Sequence, residues 1–173
     1  MILKPIKLKD LLEQAKNPKV QQIEIVEDYV LSVKTVFEGV VKDVPEEMLS
    51  KYYISDWYPE EGMPVLVVLV WVNPHEQFNK YAENSNSDSH GVTIHGLMAN
   101  GCCTNPYIDF AIVNIKTGKV FVDRVSDKTY TVDDNKDYDL FLPYEWKTVR
   151  AWEAKGGKMI FHILPPRGKK ARR

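Results

Sequence analysis

Eight consecutive apolar residues, Val65 to Val72 (Val-Leu-Val-Val-Leu-Val-Trp-Val), constrain this chain more than any other stretch. A run of that length falls well short of the roughly 20 residues that cross a bilayer. Its β-branched content disfavours a helix, so it reads as a strand buried on both faces. Such a strand needs a layer over each side. Asn73-Pro74 ends it abruptly, and the rest of the chain must supply the layers.

Before this strand, Leu8, Leu11, Leu12 and Ala15 fall at i, i+3, i+4 and i+7, which predicts an amphipathic helix over 7–16 that stops at Asn17-Pro18. Residues 20–41 are rich in Val, Ile and Thr and predict one or two strands, with Glu27-Asp28 as the break. Pro45 followed by Glu46 and Glu47 marks a helix N-terminus, because proline suits the first position and acids suit the positive end of the dipole. That helix is expected to reach about Tyr53, and Ile54 to Gly62 reads as an aromatic turn.

Beyond the strand, residues 82–91 carry no apolar anchor and read as a loop; 92–98 is a short apolar piece and 99–106 a turn-rich link. Residues 107–115 and 119–125 flank Lys116-Thr117-Gly118, a hairpin signal, because glycine takes the positive φ that a tight turn demands. After an acidic link at 133–139, Pro143 is predicted to open a helix over 143–155. Leu142, Trp146, Val149 and Trp152 form its apolar stripe and Gly156-Gly157 its stop. Residues 159–164 read as a last strand, and Pro165-Pro166 as the end of the fold.

The expected fold is therefore α+β: one mostly antiparallel, twisted sheet of about five to seven strands, with two or three helices packed on one face. No internal repeat is visible, and a length of 173 residues suits a single domain over 1–166. The tail 167–173 carries five positive charges, so a net charge of −1 leaves about −6 on the body. The adjacent Cys102 and Cys103 exclude a disulfide framework. No secretory h-region or membrane-length run is present, and a cytoplasmic protein without membrane insertion is expected.

Candidate chemistry is sparse. His90, His95 and Cys102 are zinc-type ligands, but their spacing lacks the close ligand pairs of structural zinc sites. Asp109 on a predicted strand offers an acid for a metal-dependent hydrolase or nuclease, yet Asn114-Ile115-Lys116 lacks the acid that such a nuclease would place before its lysine. Neither a nucleophile elbow nor a glycine-rich nucleotide-cofactor loop occurs. Arg167, Lys169, Lys170, Arg172 and Arg173 suit contact with nucleic-acid phosphates. Tyr53, Trp57, Tyr58, Glu60 and Glu61 combine aromatic anchors, a proline and an acidic rim, the composition of a protein-binding loop. The leading expectation is a non-enzymatic binding or adaptor protein that recognises a protein partner through these residues. A metal-dependent hydrolase or nuclease and a nucleic-acid-binding protein are the alternatives.

Overall fold

The computed structural model of the chain describes residues 6–29, 31–71, 92–99, 109–125 and 142–165. Among these residues, eight strands form two four-stranded sheets rather than the single sheet expected from the sequence. The run at 65–72 becomes β4, Val65–Trp71, and is buried on both sides as its composition requires. Leu66, Val68 and Val70 face the main core, whereas Val65 and Val67 join Val26, Tyr58 and Leu69 in a smaller cluster on the opposite face. Val72 lies outside the described residues.

In the first sheet the order is β2-β1-β4-β3, where β1 is Gln22–Asp28, β2 is Val33–Val40 and β3 is Tyr53–Pro59. β1 and β4 are parallel, and the two outer pairings are antiparallel. Helix α1, Leu8–Glu13, buries Leu8, Leu11 and Leu12, and α2, Glu46–Lys51, follows Pro45 as its charges predict. α1 stops short of residue 16 because its continuation is recruited by a strand: Lys16 N–H donates to Trp152 O at 2.8 Å, and Gln14 O accepts from Trp152 N–H at 2.9 Å.

The second sheet, ordered β6-β5-β8-β7, contains β5 (Asp109–Asn114), β6 (Val120–Arg124), β7 (Ala151–Lys155) and β8 (Lys158–Ile163). The predicted hairpin around Gly118 is present as β5–β6. The predicted helix over 143–155 is not: a 3-10 turn at Leu142–Tyr144 leads into β7. Gly156 and Gly157, with φ of 58° and 82°, form the two-residue turn joining β7 to β8 rather than a helix stop.

A single irregularity explains two misreadings. At β3, Ile54 opposes Val70 and Asp56 opposes Leu69, so Ser55 is bulged out and the inward residues Ile54 and Trp57 stand three apart. At the start of β7, Arg150 N–H bonds His162 O while Ala151 also opposes His162, and the inward Val149 and Trp152 again stand three apart. A bulge thus converts the strand period of two into a spacing that resembles a helix at 149–152 and an irregular turn at 54–62.

The two sheets share more than strand order. Each has a bulge in its first hairpin, after Ile25 in one and after Ile112 in the other. In the first half, Leu8 N–H bonds Tyr52 O and Ile54 N–H bonds Ile6 O; in the second, Ile94 N–H bonds Lys147 O and Val149 N–H bonds Val92 O. The topology therefore repeats, where the sequence showed no repeat. Helix α3, Ile94–Ala99, occupies in the second half the place of α1 in the first.

The inner faces meet in one core. Trp57 packs edge-on to Phe110 and Phe161 at 6.2 and 6.0 Å between ring centroids. Helix α1 does not lie flat on a sheet face. The segment leading into α1 pairs with the β3 edge and its continuation with the β7 edge, so α1 closes the side between the sheets. Among the described residues no helix is long and apolar enough to cross a membrane.

Candidate functional site

The segment between the 3-10 turn and β7 is fixed at both ends. Lys147 N–H closes a turn on Tyr144 O at 2.9 Å, and Lys147 O and Val149 N–H then bond the strand-like lead-in to α3. Trp146, held between these points, projects outward and is 66% exposed. Tryptophan is a costly side chain to leave in water, so its environment is informative.

The Trp146 indole stacks on the His95 ring with centroids 4.5 Å apart and planes 25° from parallel. His95 is held in turn by Glu145: its backbone N–H bonds Glu145 O at 2.7 Å, and its Nδ1 lies 3.6 Å from Glu145 Oε2. Both side chains are largely buried. On the other side of Glu145, Tyr144 stacks on Phe121 of β6 at 5.5 Å. Leu142 and Val120, 44% and 51% exposed, add apolar surface next to this pair in sequence. Two stacked pairs, Tyr144–Phe121 and Trp146–His95, thus flank Glu145, and of these four rings only the Trp146 indole is largely exposed.

Two other polar clusters have satisfied, structural geometry. On the outer face of the second sheet, Glu153 Oε2 accepts from Lys16 Nζ at 3.1 Å and lies 2.9 Å from His162 Nε2. Burial pushes the Glu153 carboxyl up, but the His162 and Lys16 bonds outweigh it and hold the group below the usual carboxylate range. At the end of β1, the buried Glu27 carboxylate accepts hydrogen bonds from the Tyr29 and Tyr52 hydroxyls. These bonds, Tyr29 first, lower its pKa, while burial and then the bond to Glu27 raise that of Tyr52.

The residues proposed from sequence as a protein-binding loop are divided by the fold. Trp57 is fully buried, with its indole N–H donated to Leu97 O at 2.8 Å, and so presents no surface. Tyr58, its neighbour, points to the opposite face, beside Val65 and Val67. Tyr53 is half-buried on the β3 edge, with the Lys7 ammonium 6.0 Å from its ring. Glu60 and Glu61 sit in the β3–β4 turn, half-buried and exposed respectively.

Of the metal candidates, His95 is engaged with Glu145 and Trp146, while His90 and Cys102 lie outside the described residues, as does the basic tail with Arg167, Lys169, Lys170, Arg172 and Arg173. Asp109 stands half-buried at the start of β5. Among the described residues no three His, Cys, Asp or Glu side chains come together as metal ligands. The sequence alone places Glu145-Trp146-Lys147, an acid-x-lysine triplet, on a helix with Trp146 in the buried stripe, so neither Glu145 nor Trp146 reads as a surface site there. No protein-family model, curated protein or solved structure matches the chain.

Proposed function

We propose that the protein is a non-enzymatic binding protein that takes a protein partner on the surface around the exposed Trp146, stacked on His95. The observation that carries this reading is the Trp146 indole, 66% exposed yet already stacked on His95. Tryptophan and tyrosine are the commonest energetic anchors of protein interfaces. An anchor held in place before binding loses little rotamer freedom when a partner covers it, so more of its burial appears as affinity. The fold does not require an aromatic residue here. In the first half the residue preceding the equivalent carbonyl, that of Tyr52, is Lys51.

A photo-crosslinking amino acid at position 146, in protein expressed in its native cells, tests the proposal. A discrete protein adduct is expected, absent when the same group replaces the exposed Lys42 and weakened by His95→Ala. Labelling at 146 no different from that at 42 would remove the support for this surface.

A further inference from the structure

The hydrogen bonds of the two core tryptophans cross. Trp57, on β3 of the first half, donates its indole N–H to Leu97 O of α3 in the second half at 2.8 Å. Trp152, on β7 of the second half, donates its own to Leu11 O of α1 in the first half at 2.7 Å. Both indoles are fully buried. Each tryptophan opposes the middle of the following strand, Val68 in one half and Phe161 in the other, and those residues oppose Ile25 and Ile112 across the parallel pairs.

The correspondence extends to the sequence once the bonds define it. Ile6, Leu8 and Leu11 match Val92, Ile94 and Leu97 at the same spacing, and Ile54 and Trp57 match Val149 and Trp152. Contacts near the axis relating the halves are between equivalent elements. The β3–β4 and β7–β8 turns meet tip to tip, with Gly156 N–H bonding Met63 O at 3.0 Å and Gly157 packed against Glu61. Reciprocal contacts of this kind are the signature of a two-fold interface, in which residue i of one unit meets j of the other and j meets i.

We infer that the chain is two copies of one helix–hairpin–hairpin unit, residues 6–71 and 92–163, fused in tandem and interlocked by mutual exchange of their first helices. Each helix begins on the edge strand of its own half and ends on the tryptophan of the other. The core tryptophan of each half finds its hydrogen-bond acceptor only on the helix of the other, so the halves fold as a pair. The inference is independent of the proposed binding surface.

Symmetry also fixes what the connections must span: the path from the end of β8 to the start of α1 equals that from the end of β4 to the start of α3. Reordering the chain so that residues 86–173 precede residues 1–85 therefore preserves the fold.

Two experiments on the whole chain test this. In the first, a recognition sequence for a site-specific protease is placed between Ser85 and Asn86 and cut after folding. The two pieces are expected to co-elute at the size of the uncut chain and to lose structure in one urea transition. Separation in native buffer into two pieces that each keep their β circular-dichroism signal would overturn the interlock. In the second, the reordered chain is expected to reproduce the parent's far- and near-ultraviolet spectra and a cooperative transition. A reordered chain without cooperative unfolding would overturn the duplication.

Discussion

Gln21 and Ala154 pair as if the glutamine side chain were a stretch of backbone: Ala154 N–H donates to Gln21 Oε1 at 3.1 Å, and Gln21 Nε2 lies 3.4 Å from Ala154 O. The same amide donates to Pro64 O at 3.3 Å. One side chain at the foot of β1 thus joins the first sheet to β7 of the second. Gln21→Leu keeps the volume but leaves the buried N–H and C=O of Ala154 without this partner, and the expected loss is about 1–3 kcal/mol in urea unfolding. A loss below about 0.5 kcal/mol would mean that the amide is dispensable to the contact between the sheets.

Acid sensitivity follows from Glu27 and Glu153, whose hydrogen-bonded carboxyls are both held below the usual carboxylate range in the folded chain. Because their folded pKa values are depressed, the stability they contribute is fully present above the unfolded pKa and is lost as pH falls through the folded one. The urea midpoint should therefore change little on their account between pH 7 and 5 and fall below about pH 4.5. Glu27→Gln weakens the bonds from Tyr29 and Tyr52, costs about 1–3 kcal/mol at pH 7 and makes the acid limb shallower. An acid limb unchanged in the variant would show that Glu27 does not contribute to it.

Gly157 is needed twice over. Its φ of 82° disfavours a side chain, and a Cβ built there lies 3.2 Å from the Glu61 backbone in the opposing turn. Gly156, at φ 58°, has open space around its added Cβ. Gly156→Asn should cost little, because asparagine tolerates the left-handed region, whereas Gly157→Ala should cost more than about 1 kcal/mol. Equal thermal midpoints for the two variants would contradict the tip-to-tip packing.

Much of the fold was legible where periodicity and turn chemistry are local. The β4 run, the α1 stripe of Leu8, Leu11 and Leu12, the Pro45 helix start and the Gly118 hairpin all stand where composition put them. The strands β3 and β7 were hidden by their bulges, which set the inward residues three apart. Gly156-Gly157 suits a helix stop as well as a hairpin turn, and with the stripe misread it lent false support to the helix. Division into two sheets was not visible, because strand pairing is non-local. The repeat was masked by exchange among Ile, Val and Leu at its few shared positions. The candidate site had no local signal either: Trp146 on a helix would be core, and only the turn at Tyr144–Lys147 and the His95 ring make it a surface.

The crossed indole bonds of Trp57 and Trp152 are tested most directly by hydrogen exchange in the full-length chain, read by mass spectrometry on Trp57→Phe and Trp152→Phe. Removing one buried hydrogen bond should speed exchange about five-fold in the helix that accepts it. The account predicts a crossed pattern: Trp57→Phe loosens residues 94–97 of the second half, and Trp152→Phe loosens residues 8–13 of the first. Faster exchange confined to the helix of the mutated half, α1 for Trp57→Phe and α3 for Trp152→Phe, would contradict it.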